Sequence, residues 1–258
     1  MSAARDEFAA RYGPWAVIAG ASEGVGASLA RQLGERGVNV VLVARRQAVL
    51  DEVAAAVSTE TRTLVLDLSE TGADGALADA TADLDVGLLV YNAGADPYMA
   101  RFLDQPVDVW QAMLARNCTT VLGAAHHFGD RMVARGRGGI AIVTSGAAWA
   151  GGARLATYGA TKAFDLLLAE SLWAELGPLG VDVLAMVLGA TDTPALRRLV
   201  GDHDPGPLDA ADDVARDLLD HLGDGPTFPP GPSPFGPLPR RESVELMSQG
   251  AAAMQGDS

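Results

Sequence analysis

Apolar residues in this chain gather in short, nearly unbroken blocks, and between the blocks they recur every three or four positions. The blocks WAVIAG (15–20), VNVVLVA (38–44), TRTLVLDL (61–68), VGLLVYNAG (86–94), GGIAIVTSG (138–146) and VDVLAMVLG (181–189) have the length and β-branched content of strands. The stretches between them are helix-length and amphipathic. Strands that are apolar throughout, instead of alternating, are those covered on both faces. The pattern therefore predicts an α/β protein: a Rossmann-type, doubly wound parallel sheet flanked by helices, in a single domain.

After Gly223 the pattern stops. The run GDGPTFPPGPSPFGPLP (223–239) is too rich in proline for regular structure, and RRESVELMSQGAAAM (240–254) reads as a short helix. Residues 1–225 are expected to form the domain, with 226–258 an arm lying on it. DAADDVARDLLDHLG (209–223) reads as an amphipathic surface helix.

Composition narrows the function classes. A net charge of −14 leaves no basic stripe for phosphate backbones, so no nucleic-acid partner is expected. The first thirteen residues mix acids with arginines and carry no apolar segment, and no apolar run reaches membrane-spanning length; a cytoplasmic protein without membrane contact is expected. The one cysteine, Cys118, agrees with a reducing compartment and reads as a small core thiol. His126 and His127 are adjacent, point in different directions on a helix and lack further ligands at zinc-like spacing, so no metal is expected. Arginine and alanine are used at lysine's expense, as in a GC-rich bacterial genome.

The first candidate site follows the first strand. Gly20, Gly24 and Gly26 open a helix, where missing side chains let a pyrophosphate approach free N–H groups and the positive end of the helix dipole, with Ser22 as N-cap and phosphate contact. The same residues also spell G-x-S-x-G, Gly20 to Gly24, the nucleophile elbow of a serine hydrolase built on Ser22, with His203 or His221 as base. Gly26, which an elbow does not need, and the position of the turn so early in the chain favour the phosphate cradle. After the second strand stand Arg45 and Arg46 where an NAD site usually has a carboxylate, which favours NADP(H) over NAD(H); Glu23, in the cradle itself, works against a 2′-phosphate.

The second candidate is Tyr158 with Lys162, the chain's only lysine among nineteen Lys and Arg residues. Four residues apart on a helix, the two share a face, and a compact ammonium beside a phenol favours the phenolate while keeping donors free for a ribose. Ser145, at a strand end, and Asn117, in the preceding helix, complete a set at the sheet edge where such folds bind ligands.

In these residues the chain resembles the short-chain dehydrogenase/reductases of the simple single-domain branch. The likeness covers about residues 13–230: Gly20-x-x-x-Gly24-x-Gly26, Asp67-Leu68, Asn92-Ala93-Gly94, Asn117, Ser145 and Tyr158-x-x-x-Lys162. A more local likeness, YGPWAVIAGASEGVG with GVNVVLVARR, is to the steroid and long-chain 3-ketoacyl reductases. The resemblance implies that Tyr158 gives a proton to a carbonyl oxygen as hydride arrives, that Ser145 hydrogen-bonds that oxygen, that Lys162 holds the nicotinamide ribose, and that Asn117 anchors a water. It implies a cofactor site of Gly20, Ser22, Glu23, Gly24, Val25, Gly26, Arg45, Arg46, Asp67 (at the adenine), Leu68, Asn92 (at a ribose), Ala93, Gly94, Tyr158, Lys162, Gly189, Thr191 and Thr193 (at the carboxamide). It also implies a homodimer or homotetramer. Two positions depart from the family pattern, Ala19 for the usual Thr and Leu188 for the Pro of Pro-Gly. Thr193-Pro194 reads as an N-cap followed by proline at the first helical position.

Tyr98, Met99, Phe102, Trp149, Leu155, Leu196 and Leu199, in the loops after strands four, five and six, are expected to line an apolar pocket under a mobile lid, for a ketone or alcohol of aryl or steroid-like character. A nucleotide-sensing protein without turnover is the third reading.

Overall fold

The structure, a computed structural model, describes all residues except 1, 150, 203, 205, 230–238, 240 and 243–258. Six expected strands form at β1 (Trp15–Ala19), β2 (Asn39–Ala44), β3 (Thr61–Val65), β4 (Val86–Tyr91), β5 (Gly138–Ser145) and β6 (Val181–Leu188). Helices α2 (Gly24–Glu35), α3 (Gln47–Ala55), α4 (Ala73–Ala80), α5 (Val107–Leu114), α6 (Thr120–Arg135) and α7 (Ala156–Leu176) alternate with them, and a helix α1 (Ser2–Tyr12) precedes them. Two-residue strands β7 (Thr191–Asp192) and β8 (Asp209–Ala210) pair with each other around α8 (Pro194–Val200), and α9 (Ala211–Asp220) leads to β9 (Thr227–Phe228). The sheet runs β3-β2-β1-β4-β5-β6-β9 with every pairing parallel, the doubly wound Rossmann order extended by one strand.

β1, β2, β4, β5 and β6 each divide their side chains between two cores, which is why they read as continuously apolar. Ile18, Leu42, Val90, Val143 and Met186 face Leu29 and Leu33 of α2 and Val214 and Leu218 of α9. Val17, Val41, Leu89, Ile142 and Val183 face Phe128 and Met132 of α6 and Leu166 and Ala169 of α7. Truncating any one of these buried leucines to alanine costs about 2–5 kcal/mol.

Two expectations change. β3 is an edge strand, half-exposed along its length with Val65 facing solvent, so its outer edge lacks the cover the other strands have. The proline-rich run, expected to hold no regular structure, contributes β9: the Pro226 carbonyl accepts from Ala185 N at 2.8 Å, and Thr227 Oγ1 donates to the buried Glu170 Oε1 at 3.0 Å. Prolines lack one donor each, but two residues between them suffice to extend an edge strand. The expected helix at 240–254 and most of the arm lie outside the described residues.

α1 closes the amino edge of the sheet. Tyr12 is buried, its hydroxyl donates to Asp182 Oδ2 at 2.6 Å, and Arg11 Nη2 reaches Asp182 Oδ1 at 2.6 Å. The carboxyl edge is left for the site. Among the described residues no helix is long and apolar enough to cross a membrane.

Candidate active site

The glycine turn is built as a cradle. Gly20 and Gly24 have φ of +84° and +55°, the left-handed region. A Cβ on Gly26 would run into the Gly20 carbonyl oxygen and lie 2.8 Å from Asn92 Nδ2, so α2 packs against the turn only because residue 26 has no side chain. Asn92 Nδ2 donates to that same Gly20 carbonyl at 2.8 Å, tying the ends of β1 and β4 together at the switch point of the sheet. The N-cap of α2 is Glu23, without a side-chain capping bond, and not Ser22 as expected. Ser22 instead lines the adjoining cavity.

That cavity, about 800 Å³, runs from the glycine turn past Ala44, Arg45 and Arg46 to Asp67, Leu68, Asn92, Ala93 and Gly94. Burial disfavours the Asp67 carboxylate, but hydrogen bonds from Ser69 Oγ (2.7 Å) and N (2.9 Å) outweigh it and hold the group below the usual range. Arg45 Nη1 is 4.0 Å from Asp67, Arg46 Nη2 is 3.9 Å from Glu23, and both guanidiniums are mostly exposed. Glu23 does not stand as a free charge: Arg198 of α8 grips both of its oxygens, at 3.1 Å for Nη1 to Oε2.

A second cavity of about 490 Å³ holds Ser145, Tyr158 and Lys162 together with Val25, Gly189, Thr191 and Thr193. The two cavities share Glu23, Asn92, Gly94 and Ala95, so a ligand can lie across both. Ser145 caps a short turn, accepting from Ala147 N at 3.2 Å. Lys162 is 3% exposed, its Nζ donating to Val143 O and to Asp165 Oδ2, each at 3.0 Å. A Cβ on Gly94 would be 2.7 Å from that nitrogen, so the ammonium keeps its place only because residue 94 has no side chain. Nζ also lies 6.0 Å from the centroid of the Tyr158 ring.

Asn117 is fully buried behind this wall, neither in the cavities nor on a regular helix. A π turn, Ala115–Thr119, joins α5 to α6, and within it Asn117 Nδ2 reaches Thr161 Oγ1 at 3.0 Å and Gly94 O at 3.3 Å. Such turns inside helices often mark functional positions. Thr144 Oγ1 donates to Lys162 O at 2.7 Å, locking the end of β5 to α7. Thr193 caps α8 as expected, accepting from Leu196 N at 3.1 Å.

Of the seven apolar loop residues, Met99, Leu155, Leu196 and Leu199 line the cavity of Tyr158, and Tyr98 lines the other. Phe102 stacks on Trp110 and Trp149 packs against the α6–α7 core, and neither lines either cavity. Both were within reach in sequence but turn away. His221 pairs with Asp224 (2.7 Å) and stacks on Phe228, a setting that supplies no base to Ser22, and His203 lies outside the described residues. Cys118 is half-buried, its thiol pushed up to about 11 chiefly by burial.

Three residues escaped the sequence reading. Arg116, largely buried in the larger cavity, bonds Ala95 O (2.8 Å) and Asn117 Oδ1 (2.9 Å), and burial lowers its pKa. Arg198 lies 175 positions from the Glu23 it grips. Asp165 is the one with a sequence signal, an acid three residues after Lys162 on the same helix.

The family model for short chain dehydrogenase matches residues 14–204. A 7beta-hydroxysteroid dehydrogenase of Clostridium sardiniense is 33% identical over 84% of this chain and 85% of its own. A very-long-chain 3-oxoacyl-CoA reductase of Podospora anserina is 37% identical over 67% of this chain and 53% of its own. Among solved structures, a short-chain dehydrogenase from Sphingobium yanoikuyae in complex with NADPH superposes with a TM-score of 0.79 at 28% identity, over 93% of this chain and 95% of that one.

Proposed function

The chain belongs to the short-chain dehydrogenase family, and from that premise we propose that it is an oxidoreductase that prefers NADP(H) and interconverts a bulky, apolar ketone and its secondary alcohol, with steroid-like molecules the favoured class. One observation carries the reading: Ser145, Tyr158 and Lys162 line a cavity that opens into the glycine cradle through Glu23, Asn92, Gly94 and Ala95. The cradle fits a dinucleotide, because a side chain at Gly20 or Gly26 would collide with the neighbouring backbone at the site where a pyrophosphate would lie.

When bound, the nicotinamide supplies or accepts a hydride at the substrate carbon. Tyr158 donates its proton to the carbonyl oxygen in reduction and takes it back in oxidation, a role worth about 10²–10⁴ in rate. Ser145 orients that oxygen by a hydrogen bond. Lys162 keeps one ammonium hydrogen for a cofactor hydroxyl and stabilises the negative charge that Tyr158 develops. Asn117, through Thr161 and Gly94, fixes the wall behind the lysine. Arg45 and Arg46 would hold a 2′-phosphate, Asp67, Leu68 and Ala93 would hold the adenosine, and Thr191, Thr193 and Gly189 would hold the nicotinamide end. Met99, Leu155, Leu196 and Leu199 supply the apolar surface for the substrate. The relatives' names, a hydroxysteroid dehydrogenase and a very-long-chain oxoacyl reductase, agree with a large apolar substrate. The lone cysteine supports a cytoplasmic setting, and the exposed Leu122 on α6 and Leu167 on α7 support assembly as a homodimer or homotetramer.

The test is depletion of NADPH, and separately of NADH, with apolar and charged ketones. Native protein is expected to consume NADPH with the apolar ketones, and Tyr158→Phe and Lys162→Arg to lose most turnover. Equal turnover of small charged ketoacids would refute the substrate class. Binding of NADPH without turnover of any ketone would favour a sensor.

A further inference from the structure

Beneath Tyr158 and Lys162 lies a third ionisable group for which the proposed chemistry has no role. Asp165, one helical turn past Lys162, is 1% exposed; its Oδ2 is 3.0 Å from Nζ, and its Oδ1 is buried without a hydrogen-bond partner. An apolar residue would pack there beside Leu166 and Ala169 without desolvating a charge. The lysine has three donors; Val143 O takes one and Asp165 the second.

We propose that Asp165 is a positioning residue for Lys162: its carboxylate pins the ammonium against Val143 so that the third hydrogen stays directed at the cavity shared with Tyr158 and Ser145, and cofactor grip and turnover follow its ionisation. The inference rests on the oxidoreductase reading above. Among the described residues, the charge of Asp165 acts on Lys162 of its own helix, the Tyr91 phenol of β4 and the Cys118 thiol of the π turn. Burial first, and then the charge of Asp165, push the Tyr91 phenol well above its ordinary range and the Cys118 thiol up to about 11. Neither changes charge near neutrality. Burial raises the Asp165 carboxyl to about 6 against the pull of Lys162, so it is the member of the cluster that titrates as the medium turns acid.

The experiment measures the dissociation constant of NADPH by quenching of protein fluorescence, together with kcat and KM, from about pH 5 to 8 for native protein, Asp165→Asn and Asp165→Glu. Near pH 7.5 Asp165→Asn is expected to bind NADPH roughly tenfold more weakly than native protein, the loss of one charge-assisted contact. The ratio should close toward one near pH 5, where native Asp165 is neutral too; taking a ratio cancels the nucleotide's own titration. Asp165→Glu should keep a pH transition. A ratio that is constant with pH, or native-like binding by Asp165→Asn at neutral pH, overturns the proposal. Should Asp165→Asn not fold, a transition in Asp165→Glu with an unmoved midpoint overturns it as well. If native protein binds NADPH but reduces no ketone, the oxidoreductase reading fails while the binding ratio still decides the role of Asp165.

Discussion

Replacing Arg45 and Arg46 by alanine tests the cofactor preference at its physical root. Their side chains are 71% and 64% exposed, and their nearest acids stand 4.0 and 3.9 Å away, at the limit of an ion pair. Exposed pairs of that kind are worth under about 1 kcal/mol, so re-aiming either arginine costs little. A charge-assisted contact to a phosphate is worth about 1.5–3 kcal/mol, and even after that offset roughly tenfold in affinity remains for each arginine at ~1.4 kcal/mol per decade. Glu23, which alone would repel the phosphate, is already engaged by Arg198 and Arg46. The assay is kcat/KM for NADPH and for NADH with one ketone. Each single variant should lose about tenfold with NADPH and the double variant more, with NADH changed by less than about threefold. The preference should also shrink from about 0.1 to 1 M salt, as the Debye length falls from ~10 to ~3 Å. An unchanged ratio of the two kcat/KM values, or equal loss with both nucleotides, refutes the assignment.

Gly26→Ala places a methyl against the Gly20 carbonyl and Asn92, so α2 must move off the cradle; a loss of about 1–3 kcal/mol in urea unfolding and strongly weakened nucleotide binding are expected, and a native-like variant would contradict the packing. Asp182→Ala releases Arg11 and the buried Tyr12 hydroxyl from β6, and should cost about 2–4 kcal/mol of stability, read by thermal melting, without altering cofactor preference. The raised carboxyl of Asp165 gives stability a definite sign with pH: folded protein holds that proton more tightly than unfolded chain, so its contribution is full below about pH 4 and is lost as pH rises toward about 6. Native stability relative to Asp165→Asn should therefore fall across that window, on the order of 2 kcal/mol, and a rising or flat difference would show that burial does not dominate the group.

Much of the fold was legible because its signals are local. The six principal strands follow from short apolar blocks, and in β1, β2, β4, β5 and β6 alternate side chains enter two different cores. The cradle follows from glycines whose missing Cβ atoms are a property of residue type, and the Tyr158–Lys162 pair from helical spacing. β9 was not legible: two residues between prolines carry no period, and only the open edge of β6 makes them a strand. Phe102 and Trp149 could have lined the pocket by position, but a loop's side-chain direction is decided by what it packs against.

By itself, then, the sequence determined the layered sheet, the glycine turn and the helical spacing that puts Tyr158 and Lys162 on one face, since these depend on spacings of a few residues. Tertiary structure decided which distant charges meet and which are buried. It set Arg198 on Glu23 from 175 positions away, turned Arg116 and Asn117 inward through a π turn, and sealed Asp165 beneath the lysine. The physical reason is that strand and helix periods act between neighbours in the chain, whereas burial and pairing of a charge depend on the whole set of elements packed around it.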